Sequence, residues 1–192
     1  MAIVVGFISE KGGVGKTTAC YHIAVALRRY HAKRVLVVDT DYQRGGITCR
    51  LRDDLLEDFR KGRLQGCTLF DQFQLLYSGQ TPDMKVDLLD TSEQVKLLPA
   101  DPRLAQVTVE KMPSSNNIRE NNKRLLAHLS LIKECLVPLT DEYDYMLIDS
   151  HPELSELMRS VVYASDYCVC RASLPVVIPR PDRCGVRARW TA

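Results

Sequence analysis

Residues 3–18 read IVVGFISEKGGVGKTT, and the order of residue types along this stretch decides the fold. Ile3 to Ser9 is an apolar run ending at a glycine-rich turn, the pattern of a strand buried on both faces of a parallel sheet. Beyond the turn, Thr17 to Tyr30 places Ile23, Ala24, Ala26 and Leu27 at helical spacing. Arg28, Arg29 and His31 then stand where the negative end of a helix favours cations. A strand, a run of glycines and a helix in that order form the context of a phosphate-binding loop. Gly12, Gly13 and Gly15 let the backbone curl so that successive N–H groups point inward, and the helix adds its positive end. Lys16 is then placed to bridge β- and γ-phosphate oxygens, and the Thr17 hydroxyl is the natural protein ligand for Mg²⁺. Residues 11–18, with Val14 and Thr18 among them, are expected to hold the polyphosphate.

Outward from this loop the chain alternates. Arg34 to Asp39 (RVLVVD) reads as a second buried strand, which makes a βαβ unit with a right-handed crossover. Further strands are expected at Val86 to Leu89, Val95 to Leu98, Tyr145 to Asp149 and Asp166 to Cys170. Helical patterns lie at Leu51 to Arg60, Leu69 to Tyr77, Arg103 to Lys111 and Ile118 to Leu136. The alternation predicts a doubly wound, mostly parallel α/β sheet with helices on both faces, in one domain, with ligands at the C-terminal ends of the strands. Residues 1–170 form that unit in this reading. Residues 171–192 are set apart as an Arg/Pro-rich tail in which Pro175, Pro179 and Pro181 break any regular element.

Composition excludes little but points one way. Twenty-six basic against 24 acidic side chains leave a net charge of +2, so no global field demands nucleic acid or an anionic membrane. The first residues lack the basic start, apolar core and cleavage site of a signal peptide, and no window approaches a bilayer-spanning length. The expected location is therefore the cytoplasm, with nucleoid association if DNA is bound. Seven scattered cysteines give no disulfide framework, and Cys20, Cys135, Cys168 and Cys170 read as small buried residues.

Three blocks resemble the ParA/MinD family of deviant Walker A ATPases. Lys11, directly before the two glycines, makes the loop KGGVGKT; in that family the extra lysine reaches the nucleotide held by the other subunit, so the resemblance implies an ATP-sandwich homodimer. Val37 to Gly45 (VVDTDYQRG) is similar to the family's Asp-x-Asp-Pro-Gln-Gly segment. It implies Asp39 near the Mg²⁺ shell through water, and Asp41 as the carboxylate that orients or activates the attacking water. Tyr143 to Pro152 (YDYMLIDSHP) is similar to the family's YDxxxIDxPP strand and switch, which implies Asp149 as an outer ligand of Mg²⁺. Tyr42 and His151 each stand where the family has proline. Tyr42 implies a less rigid loop, and His151 reads as a partly exposed loop histidine.

The resemblance implies slow ATP hydrolysis carried by Lys11, Lys16 and Asp41, with no arginine finger evident near a motif. A ParB-like or cargo adaptor protein would accelerate it, in the service of partitioning or positioning. Non-specific DNA is an expected partner of the partition branch, and the arginines of the tail are its candidate contacts. A membrane is not expected, because the closing GVRARWTA is too short for an amphipathic anchor. Two alternatives stay open: a MinD-like membrane-associated positioning ATPase, and a non-hydrolysing nucleotide-binding regulatory module.

Overall fold

The computed structural model describes residues 1–43, 46–62, 64–171 and 175–179. They form a seven-stranded sheet: β1 (Ile3–Ile8), β2 (Val35–Asp39), β3 (Leu89–Asp90), β4 (Lys96–Leu98), β5 (Tyr145–Asp149), β6 (Tyr167–Arg171) and β7 (Pro175–Pro179). The spatial order is β3-β4-β2-β5-β1-β6-β7; the five central strands run parallel, and β3 and β7 pair antiparallel with their neighbours. The helices are α1 (Lys16–His31), α2 (Ile47–Leu51), α3 (Leu56–Arg60), α4 (Leu69–Tyr77), α5 (Ile118–Leu136) and α6 (Glu156–Ala164).

Alternation along the central strands builds two cores. All five residues of β2 are buried. Val35 and Val37 face one layer with Phe7, Leu147, Cys20 and Ala24 of α1, and Ile47 of α2. Leu36 and Val38 face the other, with Met146, Ile148 and the apolar sides of α4, α5 and α6. Helices therefore cover both faces, which is the doubly wound arrangement expected of apolar strands in a parallel sheet.

Gly6 shows how tightly one layer sits. A Cβ at Gly6 would lie 2.5 Å from the Ser165 Oγ and 3.2 Å from a Val161 methyl at the end of α6. Gly6→Val is expected to lower the melting temperature by about 5–10 °C through overpacking. Scanning calorimetry checks this; an unchanged Tm would mean that α6 stands off β1 more freely than these distances require.

Four expected elements differ from the structure. Arg103 to Lys111 is not an α-helix but two short 3₁₀ turns, Pro102–Gln106 and Val109–Lys111. Asp101 caps the first by accepting from the Arg103 N–H, Val107 adopts an extended backbone, and Thr108 caps the second. The β-branched run Val107-Thr108-Val109 interrupts what periodicity suggested. Leu51 to Arg60 breaks at Arg52, whose guanidinium grips Asp54 at 2.7 and 2.6 Å, so α2 and α3 are separate and α2 begins earlier than expected. Of Val86 to Leu89 only Leu89 pairs with β4, because Asp87 is held instead by the backbone of Cys67, through N–H to O at 2.8 Å and carboxylate to N–H at 2.7 Å.

The fourth difference concerns the tail. Pro175–Pro179 does not break regular structure but pairs antiparallel with β6 in a five-residue register. Prolines are tolerated there because both sit at the ends of a strand that borders the described sheet. Arg180 to Ala192, with the tail arginines 180, 183, 187 and 189 and the GVRARWTA segment, lie outside the described residues. Among the described residues no helix is long and apolar enough to cross a membrane.

Candidate functional site

The parallel strands end on one edge of the sheet, and there the three sequence blocks meet. The loop after β1 turns at Gly13 (φ +74°) and Gly15 (φ +87°), backbone that side chains other than glycine rarely adopt. Ser9 Oγ steadies the turn by accepting the Lys11 N–H at 3.2 Å and donating to the Lys11 carbonyl at 3.2 Å. Gly12 lies beside the loop after β5, where a Cβ would meet only a Pro152 carbon at 4.0 Å. Lys16 opens α1 and is buried, whereas Lys11 is exposed. Thr17 is half-buried and Thr18 exposed. An apolar cleft of about 220 Å³ runs from Val14, Gly15 and Lys16 past Ala19 to Phe7, Val169 and Cys170.

Asp39 ends β2 and Asp149 ends β5, and the two are directly paired across the ladder. Both are fully buried. Asp39 uses its oxygens on its own loop: Oδ1 accepts the Asp41 N–H at 2.9 Å, and Oδ2 accepts the Thr48 N–H at 2.8 Å and hydroxyl at 2.6 Å. Neither Asp149 oxygen has a hydrogen bond. Burial pushes the Asp39 carboxyl well up, with the charge of Asp149 adding, while the Thr48 and Asp41 hydrogen bonds hold it down. Burial also raises that of Asp149, where Asp41 adds to the rise and nearby Thr17, Lys16 and Arg50 oppose it.

Two buried carboxylates on adjacent strands, one with both oxygens unpartnered, cost free energy as they stand. A divalent cation and its waters would satisfy them, with the Thr17 hydroxyl beside Asp149, so the donor set fits Mg²⁺. Among the described residues no group of three or more His, Cys, Asp or Glu side chains is placed to hold a metal alone. That suits an ion that draws most of its oxygens from phosphate and water.

The remaining residues depart from their expected settings. His151 is buried rather than partly exposed, at 1% accessibility, with Nδ1 2.9 Å from Asp41 Oδ1. Tyr42 does not leave a loose loop: its ring stacks on His151 at 4.1 Å between centroids and 25° between planes, and it packs against the core. Sequence reasoning also missed Arg50. Carried on α2, its Nη1 reaches the Thr18 hydroxyl at 3.4 Å, and its charge acts on Asp149. The five residues of α2 are too few to show helical periodicity in the sequence. Cys20 and Cys135 are buried as expected; Cys168 is buried and Cys170 half-buried.

Comparison with known proteins follows the same lines. A family model described as an AAA domain matches residues 2–175, nearly the whole described chain. The chain belongs to that family, in its ParA/MinD branch. It is 30% identical over 165 residues to a ParA family protein of Chlamydia pneumoniae, covering 86% of this chain and 56% of the relative. It is 31% identical over 173 residues to the sporulation initiation inhibitor protein Soj of Bacillus subtilis, covering 88% and 57%. The chain thus spans a little more than half the length of these relatives. Among solved structures, cobyrinic acid a,c-diamide synthase from Mycobacterium smegmatis with bound ADP and magnesium superposes with a TM-score of 0.62 at 27% identity, covering 88% of this chain and 59% of that one. The mostly parallel P-loop sheet is shared by the two chains.

Proposed function

We propose that this ParA-like chain binds Mg-ATP, closes on it as a homodimer with two nucleotides sandwiched between the copies, and hydrolyses it slowly to drive partitioning or positioning of DNA or a protein cargo. The observation that carries this reading is the convergence of buried Lys16, the Gly13–Gly15 turn and the paired, unsatisfied carboxyl end of Asp149 on one strand edge. A triphosphate and its ion supply the charges that each of these groups lacks.

The residues divide the work. The amides of residues 12–18 and Lys16 bind the β- and γ-phosphates, Thr17 and the waters held by Asp39 and Asp149 position the cation, and Asp41 holds the attacking water. Bound Mg²⁺ supplies charge neutralisation for the phosphate oxygens. Arg50 adds positive charge at the first turn of α1, next to Thr18. Lys11, exposed and held by its backbone at the rim, is the group offered to the nucleotide of the second copy. Beside it an apolar groove of about 300 Å³, lined by Ile8, Leu154, Met158 and Val162, with Leu154 72% exposed, gives the second copy a face to cover.

Loss of the γ-phosphate would release the loops that follow Asp39 and Asp149, and with them the dimer. A ParB-like or cargo adaptor that accelerates hydrolysis, DNA bound non-specifically, and a cytoplasmic or nucleoid-associated location complete the proposal. The ATPase unit in this reading takes in β6 and β7 and so runs past residue 170, as far as Pro179 at least.

The test is dimer content by light scattering with ATP and with ADP. The wild type is expected to dimerise with ATP alone, and Lys11→Ala to stay monomeric while keeping ATP affinity within about threefold, since the exposed cation removed serves the nucleotide held by the other copy. An undiminished ATP-dependent dimer in Lys11→Ala would remove the cross-subunit role.

A further inference from the structure

We propose that His151, braced by Tyr42, is a positioning residue that fixes the Asp41 carboxylate and couples the loop after β2 to the loop after β5. The inference rests on the reading of Asp41 as the water-holding carboxylate and adds the device that aims it.

The geometry starts at one oxygen. Asp41 Oδ1 accepts the Gln43 N–H at 3.0 Å and faces His151 Nδ1 at 2.9 Å. In this arrangement Nδ1–H donates and the carboxylate oxygen accepts. Rotation of an aspartate carboxylate about its last bond is soft, so a single hydrogen bond leaves its direction loose. Two donors arriving from different loops fix it. Among the described residues neither of these bonds, nor any other, ends on Oδ2, which is the oxygen left to accept from a water.

The histidine is itself held. Tyr42 stacks on the imidazole, and Tyr42 is the next residue after Asp41. The loop that bears the carboxylate therefore also bears the ring that fixes the carboxylate's donor. Stacking of this kind contributes about 0.5–1.5 kcal/mol beyond burial, enough to keep the imidazole in one orientation within a pocket that already excludes water.

Positions 42 and 151 are the two at which this chain departs from the proline pattern of its motifs. A proline stiffens each loop separately, by fixing its own φ. Here the same two positions stiffen each other across 109 residues of sequence. The consequence differs in kind: separate prolines keep one loop ordered whatever the other does, whereas a shared contact makes both loops order or loosen together. A displacement of the loop after β5 then frees Asp41 at once, without reaching it through the sheet.

The experiment measures Mg-ATP turnover, nucleotide affinity and amide hydrogen exchange in the full chain. His151→Ala is expected to lower kcat about tenfold or more with KM for ATP within about threefold, because the attacking group is misaimed while phosphate binding is untouched. His151→Asn, whose side-chain N–H occupies the place of Nδ1–H, is expected to recover most of the loss. In an Asp41→Asn background, His151→Ala should add nothing, since it acts through Asp41. The Gln43 amide, bonded to Asp41, should exchange about tenfold faster in His151→Ala although the substitution lies in the other loop.

Wild-type turnover in His151→Ala, a loss equal in kcat and affinity, or additivity with Asp41→Asn would each overturn the inference. Should the wild type bind nucleotide without hydrolysing it, the proposed function fails on its own account. The Gln43 exchange rate then decides alone: acceleration upholds the coupling of the loops, and an unchanged rate ends it.

Discussion

Lys16→Ala is expected to cut ATP turnover by at least about two orders of magnitude and to weaken Mg-ATP binding at least about tenfold, because a charge-assisted contact to the phosphates is lost in a site that partly excludes water. Lys16 is the cation whose burial is hardest to explain without a phosphate. It stands at the head of α1, where the helix dipole already disfavours positive charge, and only a tenth of it is exposed. Asp149 is the carboxylate whose pKa it depresses, and burial of that carboxylate outweighs the depression. A triphosphate resolves the mismatch by bringing excess negative charge to a lysine and a helix end that both lack it.

Lys16→Arg should not restore activity. A guanidinium is planar and larger than an ammonium, and the turn between Gly13 and Gly15 leaves a point charge rather than a fork to meet the phosphates. Isothermal calorimetry with Mg-ATP and a phosphate-release assay on the two variants decide the matter. Wild-type affinity in Lys16→Ala would mean that the loop does not hold a polyphosphate, and the proposed function would fall with it.

How much of this was legible in sequence depended on how local the determinant was. The strand, turn and helix at residues 3–31 could be read almost to the residue, because buried strands and glycine turns carry their own signals; β5 and α5 matched for the same reason. The Asp39–Asp149 pair was foreseeable only as two strand ends. That they face each other follows from the β2–β5 register, which is a matter of topology. His151 was misread because burial is a property of what packs on a residue, and its cover, Tyr42, lies 109 positions away. Arg50 escaped for a similar reason, since only the turn after Gly46 brings it to α1. Where a residue's role is set by backbone geometry within a few positions the sequence announces it, and where a distant loop sets it the fold must be seen.

Asp149→Asn is expected to move function and stability in opposite directions. Turnover should fall about a hundredfold, since the waters around the cation lose a charged anchor. The nucleotide-free fold should become more stable near neutral pH, because the substitution removes one of two facing buried carboxyls whose ionised forms burial disfavours. Both folded carboxyls are raised above their unfolded values. A group raised in this way contributes stability that is whole below the unfolded pKa and is lost as pH climbs toward the folded one. The nucleotide-free wild type should therefore lose stability as pH rises from about 4 through neutrality, at up to about 1.4 kcal/mol for each unit by which a carboxyl is raised. Asp149→Asn should flatten that slope, giving a Tm some degrees above wild type near pH 8 and no difference near pH 4. Adding Mg-ATP should reverse the order, because it stabilises only the chain that retains the carboxylate as a partner. Calorimetric scans across that pH range, with and without Mg-ATP, test all of it. A variant less stable than wild type at pH 8 without nucleotide would show that Asp149 is compensated within the protein itself, and that its open oxygens are not waiting on a cation.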